Sequence, residues 1–117
     1  MASEGFHEAA EALSPRTRDL HRAIVSLMEE LEAIDWYQQR VEATGDPTLR
    51  EILEHNRDEE KEHAAMVLEW LRRADARFEG YLRKYLFTDR PILTIEDEPN
   101  NGAGPKAAAT VGSLRRR

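Results

Sequence analysis

The stretch from Leu49 to Trp70, LREILEHNRDEEKEHAAMVLEW, decides how this chain folds. Leu49, Leu53, Asn56, Glu60, His63, Val67 and Trp70 recur at alternating spacings of four and three, and Ala74 continues the series. Such spacing keeps returning to one side of an α-helix, so these residues share a face and predict a helix rather than a strand. Most of that face is apolar, but Asn56, Glu60 and His63 interrupt it. Asp46 followed by Pro47 marks the start: the aspartate caps the first turn, and proline stands where a helix has no use for the N–H.

The preceding segment repeats this design. Ser14 and Pro15 give the same cap, and Leu20, Ile24, Leu27, Leu31, Ile34, Gln38 and Val41 follow at coiled-coil spacing over nearly thirty residues. Gly45 is expected to end this first helix with a positive φ, leaving a turn short enough to lay the two helices antiparallel. A shorter amphipathic helix is expected from Phe78 to Phe87, with Gly80 as a candidate break and Pro91 as a stop. The expected fold is therefore all-α: an antiparallel two-helix hairpin plus a short C-terminal helix. By region, 1–13 reads as a flexible lead-in, 14–95 as the helical body, 96–109 as a linker and 110–117 as a distinct terminal peptide.

A chain of 117 residues with 34% charged residues has narrow apolar stripes and needs a partner to cover them. There is no apolar run of membrane-spanning length and no basic-then-apolar leader, so a soluble cytoplasmic protein is the expectation. The net charge is −6. Residues 96–117 hold four basic and three acidic groups, so the body alone carries −7, which disfavours nucleic acid. Without cysteine, any metal must be held by carboxylate and imidazole.

Glu60 and His63 lie three residues apart in the seam, where one helix face can direct both at a single ion. Unpaired, they would be costly to bury, so a cation, a Glu–His or Glu–Arg ion pair, or local exposure of the seam must compensate. On the first helix, Glu30 runs alongside the apolar seam and can reach the same layer. Ferritin-like di-iron carboxylate proteins draw a glutamate from each of two helices and Glu-x-x-His from each of two others. This chain holds half of that inventory, so a two-fold homodimer forming a four-helix bundle would complete it. His7, His21 and His55 carry no such pattern and read as ordinary surface or core residues.

The segments MEELEAIDWY at 28–37 and HNRDEEKEHAAM at 55–66 closely resemble the encapsulated ferritins, and the likeness extends over about residues 17–95 through LEWLRR at 68–73 and YLFT at 85–88. The resemblance implies a ferroxidase that oxidises Fe(II) to Fe(III) with dioxygen. Its ligands would be Glu30, Glu60 and His63, at a centre of two irons shared by two chains. It implies further that Glu29 and Glu32 bind metal transiently on its way in, that Ca2+ or Zn2+ can substitute or occupy that outer site, and that Tyr37, beside Trp36, lies near the catalytic centre. Read from spacing alone, Glu29 and Glu32 are a solvated face and the aromatics are packing residues.

The same resemblance implies dimers assembled into a ring-shaped decamer. The terminal peptide Thr110 to Arg117 would dock on an encapsulin shell and hold the enzyme in the nanocompartment lumen within the bacterial cytoplasm, where iron is stored. Val111 and Leu114 could anchor such a peptide in apolar pockets, with Gly112 allowing close approach. Two other readings stand beside this one: a metal-binding module without turnover, and a purely structural helical dimer.

Overall fold

The structure, a computed structural model, describes residues 5–100. Among these residues it is all-helical: α1 (Pro15–Ala43), α2 (Pro47–Ala74), α3 (Ala76–Tyr85) and the single turn α4 (Ile92–Ile95). The two helix starts read from the sequence form as expected. Ser14 Oγ accepts the Thr17 N–H at 3.1 Å, and Asp46 Oδ1 accepts the N–H groups of Thr48 and Leu49 at 3.0 and 3.4 Å. Each cap satisfies amide donors that the first helical turn leaves without partners.

Partners across the hairpin run in opposite order along the two helices. Arg50 meets Val41 and Thr44, Arg57 meets Gln38, and His63 faces Glu30. Only an antiparallel pair gives that order. The stretch before α1, read as a lead-in without periodicity, holds a 3-10 turn at Ala10–Ala12. It is tied to α1 by Arg18, whose Nη2 donates to the Ala10 carbonyl at 2.6 Å, and by the rings of Phe6 and His21, 4.8 Å apart.

The end of α1 departs from expectation. No glycine among the described residues has a positive φ, and α1 stops at Thr44, whose φ of −77° and ψ of 141° are extended. The reason is a side chain from the next helix. The Arg50 guanidinium donates to the Thr44 carbonyl at 2.6 Å and to the Val41 carbonyl at 3.3 Å, so these acceptors need no left-handed glycine N–H. A Cβ built on Gly45 would meet nothing within 4 Å.

The chain divides into two compact units after Trp70. Within the second, Asp75 caps α3 by accepting the Phe78 N–H at 2.9 Å, so α3 begins two residues earlier than the sequence suggests. Gly80 is buried inside α3 and does not break it. Glu79 joins the end of α2 to α3, accepting from Arg72 at 3.0 Å and from Arg83 at 2.8 Å. The helix ends at Tyr85, before Pro91, and Pro91 instead precedes α4, where its fixed φ suits a helix start. Between them Phe87 takes a φ of 61°, uncommon for a bulky residue, with its side chain fully in solvent.

α4 packs on α3 and buries Ile95 completely. Residues 96–100, read as the start of the linker, are tethered here: Lys84 Nζ donates to the Glu96 carbonyl and to Asn100 Oδ1, and Arg90 holds Glu98 through two bonds of 2.8 and 2.9 Å.

Removing the Arg50 guanidinium leaves two helix-end carbonyls without their charged donor. Arg50→Ala should therefore lower unfolding stability by about 1–3 kcal/mol in urea melts. Gly45→Ala should leave stability unchanged or raise it by up to about 1 kcal/mol, since the residue has an ordinary φ and open space. A loss of stability in Gly45→Ala would show that this junction is held differently.

Candidate metal centre

Three side chains predicted to act together do meet. α1 contributes Glu30; α2 contributes Glu60 and, one turn later, His63. His63 Nδ1 stands 3.2 Å from Glu60 Oε1 and 3.9 Å from Glu30 Oε1, and one ligand atom from each of the three residues falls within 4.8 Å of the others. All three side chains are half-buried. The i, i+3 spacing explains the α2 pair, and antiparallel packing explains why Glu30 arrives opposite them.

Two carboxylates this close cannot both ionise freely. Hydrogen bonding with Glu60 raises the Glu30 carboxyl above its ordinary value, and partial burial and the Glu60 charge push the same way. Glu60 is held low, first by the hydrogen bond from Glu30 and then by that from His63. The His63 imidazole is raised above 6.5 by its hydrogen bond to Glu60, with the charges of Glu30, Glu60 and Glu59 adding to the effect. The shifts favour a proton on Glu30 and on His63 over one on Glu60, and a dication entering the cluster would compete with protons for the same atoms.

This donor set fits a transition metal. Two hard carboxylates and one imidazole, with no thiolate, match iron and also zinc. The imidazole makes the set a poor one for calcium, which takes oxygen donors.

The remaining sequence candidates stand apart from the cluster. Glu29 is exposed and acts on Glu30 through its charge; Glu32 is half-buried; among the described residues neither joins a group of close potential ligands. Tyr37 is half-buried with the Arg40 guanidinium 5.4 Å from its ring centroid, and lies about 10 Å along α1 from Glu30. Trp36 and His55 are exposed. Sequence reading missed Arg57, whose Nη1 donates to Gln38 Oε1 at 2.8 Å across the hairpin. Gln38 interrupting the first seam was the signal, since a polar residue at such a position seeks a partner on the facing helix.

An all-helical hairpin with a Glu-Glu-His cluster between its long helices is a protein of the ferritin-like class. More narrowly, the family model described as EncFtn-like matches residues 5–89, and the chain belongs to that family. It is 60% identical over 113 residues to the encapsulated ferritin-like protein of Rhodospirillum rubrum, covering 97% of this chain and 81% of that one. Over 112 residues it is 33% identical to the encapsulin nanocompartment cargo protein EncC of Myxococcus xanthus, covering 84% and 86%. The crystal structure of protein ne0167 from Nitrosomonas europaea superposes with a TM-score of 0.73 at 61% identity, covering 75% of this chain and 97% of that one.

Because the His63 imidazole is raised above its ordinary value and a cation must take the lone pair its proton occupies, metal affinity should increase with pH. Zn(II) titrated calorimetrically in buffers of different ionisation enthalpy should release protons and bind more weakly at about pH 6 than at about pH 8. Affinity independent of pH across that range would contradict the protonation pattern described.

Proposed function

We propose that this chain is a ferroxidase whose centre is completed by a second copy of itself, delivering iron for storage inside an encapsulin compartment. The observation that carries the reading is the meeting of Glu30, Glu60 and His63 between α1 and α2. One chain supplies too few donors for a pair of irons. It also leaves its apolar residues uncovered: Ile24, Leu31, Leu49, Ile52, Met66 and Trp70 are all exposed, Met66 to 58%. A second copy related by two-fold symmetry covers such a surface and brings its own Glu30, Glu60 and His63 to the same layer.

Fe(II) is the substrate, losing one electron to dioxygen as it becomes Fe(III). The chain's contribution is electrostatic. Fe(II) would compete with protons for the donor atoms of Glu30 and His63, and the carboxylates of Glu30 and Glu60 would favour the harder Fe(III). His63 retains the divalent form until oxidation. Glu29 and Glu32, with oxygen donors alone, act as a transient outer site where Ca2+ also fits. Tyr37 lies along α1 toward the hairpin turn, and its role is secondary to that of the three ligands.

Assembly of dimers into a ring-shaped decamer, and capture of the ring by an encapsulin shell, belong to the same proposal. Capture by a shell is supported by family membership and by the names of the Rhodospirillum and Myxococcus relatives. The docking peptide Thr110 to Arg117 lies outside the described residues. No helix among the described residues is long and apolar enough to cross a membrane.

Fe(II) added anaerobically to metal-free protein, followed by air, should give ferric absorbance and oxygen uptake in the wild type. Glu30→Ala and Glu60→Ala should each slow this at least about tenfold, because losing a ligand costs no less than losing a residue that hydrogen-bonds a ligand. Equal rates in all three would reject the ligand set; iron that binds but stays ferrous would favour a metal-buffering protein. Deleting 110–117 should leave oxidation intact while abolishing co-purification with a co-expressed shell.

A further inference from the structure

The candidate ligands come from two helices, so their spacing depends on the axial register of α1 against α2. Apolar contacts hold such a register loosely, because leucine against leucine has no preferred direction. The register at the site has to be fixed by something directional. The hairpin turn is distant: Ala43 follows Glu30 by thirteen residues, about 20 Å along the helix.

A chain of polar groups spans the hairpin much closer to the ligands. Arg57 Nη1 donates to Gln38 Oε1 at 2.8 Å, Arg57 Nε donates to Asp58 Oδ1 at 3.0 Å, and Gln38 Nε2 donates to Glu42 Oε2 at 2.9 Å. The assignment is self-consistent, since arginine only donates and an ionised glutamate only accepts, so the Gln38 amide has one orientation that serves both neighbours. The Arg57 side chain is only 19% exposed. For a guanidinium, that burial is tolerable because its acceptors are in reach. Arg57 precedes Glu60 by three residues, about 4.5 Å along α2, and Gln38 follows Glu30 by eight, about 12 Å along α1.

We propose that Arg57 is a positioning residue for the metal centre: its hydrogen bond to Gln38 locks the register that brings Glu60 and His63 opposite Glu30. The proposal rests on the metal-binding reading above. For stability alone, an apolar pair at this level would serve as well as a half-buried guanidinium. What the polar pair adds is direction. A slip of α2 by one helical turn moves Glu60 and His63 by about 5.4 Å against Glu30, and a bond of this length does not survive even a fraction of that. Seam polar groups that fix register are the best-attested use of such residues.

The test uses Co(II), whose d–d absorption reports coordination geometry, titrated anaerobically into the full-length chain. Wild type should bind, and Glu60→Ala should not. Arg57→Met should bind about tenfold more weakly with a shifted d–d band, at unchanged helix content and molar mass. Arg57→Lys, which keeps a cation and a donor, should recover part of the loss. The double variant Arg57→Met with Gln38→Met should lose no more than the worse single one, because both remove the same bond. Should Arg57→Met fail to fold, Gln38→Met carries the same expectation and leaves the Arg57–Asp58 pair in place. Affinity within twofold of wild type and an unshifted band, in a protein where Glu60→Ala has lost binding, would overturn the positioning role while leaving the metal reading intact. A tenfold loss with an unshifted band would mean general loosening and would also overturn it. No Co(II) binding by the wild type would remove the metal reading, and the positioning role with it.

Discussion

Two carboxylates from different helices, held within a few ångströms of each other and of a single imidazole, are the constraint on which the rest of this chain depends. Like charges at that distance repel unless positive charge stands between them. The hydrogen bonds among the three groups answer this repulsion, raising Glu30 and His63 and lowering Glu60. The same three groups would be the ones to receive a cation. That dual use is efficient only if the helices bearing the groups are held in one relative position, and the Arg50 clamp and the Arg57–Gln38 bond act on that position.

The second constraint is burial. Val41, Ala64, Leu71 and Ile95 are the buried apolar side chains among the described residues, whereas the seam residues Ile24, Leu31, Leu49 and Trp70 and the flanking Ile52 and Met66 remain exposed. Exposed apolar surface concentrated along a helical seam is what an interface looks like before its partner arrives. The pairing proposed here relates the two constraints, since the copy that covers the seam also brings the missing ligands.

Much of this was legible in the residues, for identifiable reasons. Spacings of four and three over nearly thirty residues leave no alternative to long helices, and Ser-Pro and Asp-Pro mark their starts through local chemistry alone. Glu60 and His63 stood out because they interrupt an apolar stripe. Glu30 was harder, since it flanks the stripe and gained meaning only once its place beside the seam was set against the Glu60 and His63 pair on the second helix. What the sequence did not show depends on partners distant in the chain. Gly45 suggested a left-handed helix end, but Arg50 reaches back from α2 to satisfy those carbonyls. Gly80 suggested a break, yet it sits buried within α3, where absence of a side chain suits close packing. The Arg57–Gln38 bond needs the hairpin register to be known first, and sequence periodicity does not fix register to the residue.

The polar groups of the seam oppose the burial that the chain otherwise needs. Leucine at Asn56, Glu60 and His63 would extend the apolar face of α2 and strengthen any helical pairing, because a polar group buried between helices costs free energy that only its partners return. Retaining them is consistent with a site, and it links two equilibria. A cation that binds only when both helices, and in the proposed assembly both chains, are in register stabilises that arrangement by mass action. The protons it displaces make the linkage depend on pH, and the unburied leucines make it depend on chain concentration. In the proposed assembly, stability and cation binding are therefore aspects of one coupled equilibrium, with the Glu30, Glu60 and His63 cluster as the point where they meet.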